Sequence, residues 1–289
     1  MTSALLFVHA HPDDETINNG VAMAHYAELG HHVALVTCTA GEEGEVLISD
    51  LAHLAAAATD KLGEHRKVEL ENAMAALGVK DHRFLGGFGK YRDSGMMGEP
   101  SNNRADCFWQ ADLLEASLHL VEIIRELKPK VLVTYDEFGG YGHPDHIQTH
   151  RVAMHAAQLA GLRGFKLELG EPWQIPKIYW NTTPRGEMAD AMQKLRDMGA
   201  THDFLEMSPG DIPFLTDDEL VTTKLVLPNQ VAKKKAAIRA HGTQIDIEDG
   251  FFAAFELLGE DFYGTEHYRL VSGELKVPSG QKYETDLLA

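Results

Sequence analysis

Two short clusters hold most of the residues able to do chemistry: His9-Ala10-His11-Pro12-Asp13-Asp14-Glu15 and Tyr141-Gly142-His143-Pro144-Asp145-His146. Each mixes imidazoles with carboxylates, the side chains that ligate a transition metal or carry protons near neutral pH. A catalytic zinc site takes three protein ligands of this kind and leaves one position open. His11 and Asp14, three apart at the start of a helical pattern, can face one ion, and His146 can complete the set from the second cluster. Asp13 is then a carboxylate beside the ligands, free to take a proton from an attacking water. His143 and Tyr141 are left as donors to a developing oxyanion. Asp145 is placed to hydrogen-bond one of the histidines and fix its tautomer.

Plainer roles compete with these. A His-Pro-Asp turn also serves to cap a helix through Asp13 or Asp14, but two such turns in equivalent places weigh against capping alone. His9 is expected to pack beside its strand, and Glu15 to favour the helix N-terminus. His146 and His150 imitate the paired histidines of zinc proteases, yet Ile147 stands where that motif needs glutamate. The first turn lacks Gly-x-Gly-x-x-Gly, so a dinucleotide site is not expected there. The absence of a Gly-x-Ser-x-Gly elbow argues against a serine hydrolase.

The clusters must be positioned by the elements around them. Residues 4–8 form a continuous apolar run, as in a parallel strand buried on both faces. Ile17, Val21 and Ala24 then recur at helical spacing up to Gly30, and residues 32–38 read as a second buried strand. A helical pattern over 51–77, a short strand at 83–85, a Gly/Ser/Pro/Asn-rich loop over 86–103, and a helix marked by Leu114, Leu118, Val121 and Ile124 follow. Residues 130–135 read as another buried strand that delivers the second cluster, and a helix runs over 146–159. Beyond Gly161 we expect a strand at 177–180, a helix at 187–198, a strand at 220–227 and a helix at 230–241. This alternation specifies an α/β fold: a Rossmann-like, mostly parallel sheet with helices on both faces, plus a smaller mixed C-terminal elaboration. Residues 1–165 are read as the core carrying both motifs and 166–289 as an elaboration completing the substrate cleft. In such folds ligands bind beyond the C-terminal strand ends, where both clusters fall.

Composition narrows the partners. Lys and Arg number 26 against 44 Asp and Glu, a net charge of −18, which excludes an extensive phosphate-backbone interface. Two cysteines support neither a disulfide framework nor a thiolate metal site. The N-terminal run lacks a basic leader and no apolar stretch spans a bilayer, so no membrane partner and a cytoplasmic location are expected. The sequence leaves oligomeric state open.

In these residues the chain resembles the PIG-L-like zinc-dependent N-deacetylases, whose Pro-Asp-Asp block matches Pro12-Asp13-Asp14 and whose distal block matches His143-Pro144-Asp145-His146. Within that family it is most similar to the N-acetyl-glucosaminyl-inositol deacetylases of mycothiol biosynthesis, through the stretches 6–15, 36–46, 92–96 and 139–146. The resemblance implies a Rossmann-like fold and one Zn2+ per chain on His11, Asp14 and His146, with Fe2+ as the other metal such a ligand set accepts. It implies Asp13 as base and later acid, with Tyr141 and His143 on the oxyanion side. It also implies that Arg66, Asp93, Met96 and Glu45 lie near a small-molecule glycoside substrate, with Gln244 a further candidate. The related mycothiol S-conjugate amidases share the metal motif, but typically carry lysine near the position of Asn18 and lack the Arg92-Asp93-Ser94-Gly95-Met96 block. A non-catalytic, metal-containing sugar-binding module and a two-metal phosphoesterase are the readings outside the family.

Overall fold

Strand β1 (Ala4–His9) is buried from Leu5 to His9 because helices cover both of its faces. The computed structural model describes residues 3–247 and 250–289, so Met1 and Thr2 of the N-terminal run lie outside the described residues. After β1 come α1 (Asp14–Glu28), β2 (His32–Thr37), α2 (Leu62–Leu77), β3 (Asp81–Phe84), α3 (Leu113–Leu127) and β4 (Val131–Thr134). A one-turn α4 (Gly139–Gly142) leads into α5 (Pro144–Ala160), then β5 (Lys177–Pro184), α6 (Arg185–Asp197), β6 (Leu215–Thr216) and β7 (Thr223–Val226). The chain closes with α7 (Val231–Ala240), α8 (Gly250–Glu256), α9 (Glu260–Tyr263) and β8 (Thr265–Ser272).

The sheet runs β3-β2-β1-β4-β5-β8-β7, with β6 added beside β5. Pairings from β3 through β5 are parallel, while β8 pairs antiparallel with both β5 and β7. Strand residues alternate between faces. Leu6, Val8, Val36 and Leu132 pack against α3 and α5; Leu5, Phe7, Leu35 and Val133 pack against α1 and α2. A third apolar cluster joins α6, α7 and the C-terminal aromatic residues. The expected parallel α/β fold is therefore present, and the C-terminal third both extends its sheet and covers it.

The order reverses between β1 and β4, where the chain leaves β1 toward β2 on one side and later returns to β4 on the other. A crevice opens at such a point beyond the C-terminal strand ends. Both polar clusters lie there.

Three local expectations need correction. The helical pattern over 51–77 is interrupted: a short 3-10 turn ends at Leu54 and α2 begins only at Leu62. Between them Asp60 adopts a left-handed backbone (φ 56°) and is gripped by both terminal nitrogens of Arg92. The strand expected over 220–227 is confined to β7, because residues 218–220 form a 3-10 turn. The loop expected over 86–103 is present and pinned in place: Asn102 Nδ2 donates to the carbonyls of Ser94 and Met96, and Ser94 is fully buried. Trp180 and Pro184 both lie in β5, which runs past the predicted end at 180.

One buried cation organises the far side of the sheet. Arg125 of α3 is 2 % exposed and has no carboxylate partner among the described residues. Its guanidinium instead donates to carbonyls just past α5, including Phe165 at 2.8 Å and Lys166 at 2.6 Å, and to Ala160 within it. It satisfies acceptors that the helix end leaves open. We expect Arg125→Met to lower unfolding free energy by about 3–5 kcal/mol, because several buried carbonyls lose their donor together. Urea denaturation should show the midpoint falling at an unchanged slope.

Candidate active site

The first cluster turns out of β1 under strain. Asp13 has φ 122° and ψ −34°, a backbone region that costs a non-glycine residue roughly 1–3 kcal/mol. It precedes α1 but its carboxylate makes no capping hydrogen bond, so the simple cap reading does not hold. Instead Arg66 Nη2 donates to Asp13 Oδ2 at 3.0 Å and to the carbonyl of Pro12, while Nη1 donates to the carbonyl of Gly41 at 2.9 Å. Gly41 is required for this approach: it has φ 68°, and a Cβ there would lie 2.0 Å from Arg66 Nη1. The backbone amide of Asp13 donates to Glu15 Oε2 at 2.9 Å.

Beside Asp13 two imidazole nitrogens converge on the two oxygens of one carboxylate. His11 Nδ1 lies 3.4 Å from Asp14 Oδ2, His146 Nε2 lies 3.4 Å from Asp14 Oδ1, and the two nitrogens are 3.3 Å apart. Ligands bonded at about 2.0–2.1 Å to a tetrahedral ion sit about 3.3–3.4 Å from one another, the spacing of the two nitrogens and of each from its nearer Asp14 oxygen. His143 brings a further ring nitrogen within 4.8 Å of those of His11 and His146. Close approach of α5 makes this possible: Gly139 has φ 66°, and a Cβ there would meet His146 Cβ at 2.6 Å.

Charge supports the same conclusion. Asp13, Asp14, Asp93 and Asp145 all lie in this crevice, and among the described residues Arg66 is the one guanidinium or ammonium bonded to any of them. Burial opposes protonation of His11, yet Asp93, Asp14 and Asp145 overcome it and hold His11 well above the usual imidazole range. Burial likewise opposes ionisation of Asp14, but His146 and His11 keep it well below the usual carboxylate range. A divalent cation balances such an excess of negative charge. Burial pushes His146 down to about 4, toward the neutral form a ligand needs. It also raises Asp13 to about 6 against the pull of Arg66.

Asp145 does hold a histidine, and it is His11: Oδ2 lies 3.3 Å from Nε2, on the ring edge away from Nδ1. Asp93 Oδ1 approaches the same Nε2 at 3.4 Å. His143 is the N-cap of α5, its Nδ1 accepting from the amide of Asp145 at 3.1 Å. Burial, reinforced by His11 and His146, pushes His143 down to about 2. The neutral ring, with Nδ1 occupied as an acceptor, carries its proton on Nε2. Tyr141 lines the same cleft with its ring 4.9 Å from that of His146, and burial raises its hydroxyl so that it remains a donor.

The cleft has a volume of about 1100 Å3 and also takes in Arg66, Asp93, Met96, Glu45 and Gln244. Those residues differ in kind. Met96 and Glu45 are exposed at the rim, whereas Arg66 and Asp93 are buried, Asp93 accepting from the amides of Gly95 and Glu43. His9 and His150 stay out of the donor set: His9 meets Asn19 Nδ2, and His150 Nδ1 meets the carbonyl of Tyr135.

Three contributors were not singled out from the sequence: Ser94, Tyr135 and His241. Ser94 donates its hydroxyl to Asp145 Oδ1 and its amide to Oδ2. Tyr135 stacks on His146 at 4.3 Å and accepts from the amide of Ala10. Glu15 is more than a helix-start residue, since it pairs with buried His241 at 2.9 Å. Ser94 lay in a block already noticed, and Tyr135 at a strand end, so position alone offered a signal for these two.

The family model described as "PIG-L: GlcNAc-PI de-N-acetylase" matches residues 6–157, more than half of the chain. The chain belongs to the PIG-L family. A relative from Catenulispora acidiphila, named 1D-myo-inositol 2-acetamido-2-deoxy-alpha-D-glucopyranoside deacetylase 1, is 54 % identical over 99 % of this chain and 88 % of its own length. A deacetylase of the same name from Kribbella flavida is 50 % identical over 99 % and 97 %. Among solved structures, N,N'-diacetylchitobiose deacetylase from Pyrococcus horikoshii superposes with TM-score 0.63 at 19 % identity, covering 94 % of this chain and 84 % of that one. The 4-carboxy-2-hydroxymuconate hydratase from Pseudomonas putida superposes with TM-score 0.58 at 20 % identity, covering 96 % and 99 %. These two likenesses show a shared fold and no more.

Two outcomes follow for this PIG-L site. His146→Ala is expected to leave purified protein with far less than one metal per chain by elemental analysis. Ser94→Ala removes one of the two donors that hold Asp145 against His11, and should weaken metal retention about tenfold in chelator competition.

Proposed function

We propose that this PIG-L protein is a metal-dependent N-deacetylase that hydrolyses the acetamide of an N-acetyl-glucosaminyl-inositol, releasing acetate and a free amine, as in mycothiol biosynthesis. The metal is Zn2+, with Fe2+ the alternative, one per chain, and the reaction is cytoplasmic. The observation that carries the chemistry is that Asp13 lies beside the ligand triangle but is turned onto Arg66. The substrate assignment follows the names of relatives sharing half of the sequence over nearly its whole length.

His11, Asp14 and His146 would hold the metal, which supplies Lewis acidity that eases deprotonation of water and draws off carbonyl charge. Asp13 accepts the proton as the water oxygen adds to the acetyl carbon. The Nε2–H of His143 and the hydroxyl of Tyr141 donate to the tetrahedral oxyanion. Asp13 then returns its proton to the departing nitrogen and the C–N bond breaks. A neutral His143 whose Nδ1 accepts from the Asp145 amide is suited to donating rather than abstracting, which supports Asp13 as carrier of both transfers. Arg66, Asp93, Met96 and Glu45 are assigned to the sugar and inositol side, with residues 166–289 completing the cleft and residues 1–165 carrying the metal motifs. Arg66 has the additional task of orienting Asp13.

No helix among the described residues is long and apolar enough to cross a membrane. This accords with a small, polar glycoside as substrate.

Purified protein incubated with N-acetylglucosaminyl-inositol should release free amine in a chelator-sensitive manner. Amine formation from a mycothiol S-conjugate alone would reassign the enzyme as an amidase, and none from either would remove the hydrolase reading. Asp13→Ala should retain its metal while kcat falls by roughly 10³ or more; loss of the metal would instead make Asp13 a ligand.

A further inference from the structure

The backbone of Asp13 is held by a contact that begins near the far end of the chain. Its amide donates to Glu15 Oε2 at 2.9 Å, and Glu15 Oε1 accepts from His241 Nε2 at 2.9 Å. Glu15 and His241 are fully buried. Thr16 Oγ1 is the other donor to Oε1, so both oxygens of Glu15 are engaged. On His241 the second ring nitrogen has no hydrogen-bond partner among the described residues. A buried imidazole whose sole polar partner is one carboxylate is oriented for that carboxylate; filling space alone would call for an apolar side chain.

The segment carrying His241 is itself fixed. Thr243 donates both its amide and its hydroxyl to Glu69, at 2.8 and 2.7 Å. Glu69 lies one turn after Arg66 on α2. One helix thus grips the carboxylate of Asp13 through Arg66 and the support of its amide through Glu69.

We infer that His241 is a positioning residue: through Glu15 it keeps Asp13 at its left-handed backbone angle, so that the carboxylate stands beside the metal ligands instead of among them. This rests on the reading of Asp13 as the proton carrier. Without the Nε2 donor, only the Thr16 hydroxyl and the Asp13 amide itself hold Glu15, the support of that amide weakens, and the strained φ loses one of its restraints.

The test compares His241→Leu with His241→Gln, whose amide can still donate to Glu15. For His241→Leu we expect kcat on N-acetylglucosaminyl-inositol to fall about a hundredfold with KM within twofold and one metal per chain. His241→Gln should recover at least a tenfold part of that loss. A crystal structure of His241→Leu should show Asp13 at negative φ. The inference is overturned if Asp13 keeps its φ near 122° in that structure, if KM and metal content fall together with kcat, or if glutamine performs no better than leucine. Should His241→Leu not fold, Glu15→Gln and Glu15→Ala decide: glutamine preserves an acceptor for the Asp13 amide and should keep most of kcat, whereas equal losses in both overturn the inference. Wild-type protein that turns over no acetamide would count against the proposed reaction, while the backbone angle of Asp13 in the variant would still test the positioning role.

Discussion

Three buried carboxylates and the half-buried one of Asp13 surround one crevice, with Arg66 the one guanidinium bonded to them among the described residues, and the surrounding structure answers that imbalance. At short range in a low-dielectric site, uncompensated like charges repel strongly. Asp13 is matched by Arg66, and Asp14 is faced by two imidazoles. Asp93 and Asp145 share the outer edge of His11 and draw on amides and the Ser94 hydroxyl. A cation held by His11, Asp14 and His146, as proposed, would complete the balance. Polar residues that would be costly in an ordinary core are thereby held in fixed orientations, as a preorganised site requires.

That arrangement depends on the sheet. Parallel strands direct their C-terminal ends to one edge, and the reversal of order between β1 and β4 leaves space there for two turns to meet. The loop after β3 then passes beneath the site, where Ser94 braces Asp145. From the other side α2 supplies Arg66. The loop and the helix therefore act as walls of the site, while Met96 and Tyr141 remain exposed at the cleft.

The fold alone does not select the chemistry. A hydratase shares it at a TM-score of 0.58, consistent with activity residing in a grafted set of side chains. What distinguishes a hydrolytic site here is the division of labour between adjacent residues: Asp14 faces the ligand histidines while Asp13 is turned onto Arg66. That division arises from the strained turn, because two consecutive residues with ordinary backbone angles would place their carboxylates differently.

The two His/Asp clusters and the strands that carry them were legible from spacing, because they are local patterns joined by a general rule about where parallel strands end. Apolar runs marked β1, β2 and β4 well for the same reason. The pattern over 51–77 misled because helical periodicity does not register a left-handed Asp60 fixed by a distant arginine. Nor did spacing reveal which histidine Asp145 would hold, that Ser94 would brace it, or that Arg66 would turn onto Asp13. The pairing of Glu15 with His241 joins residues 226 positions apart. The sequence by itself determined which side chains were available and which strand ends would present them. Tertiary structure alone decided their partners and protonation, because those depend on burial and on close approaches between segments that no local spacing encodes.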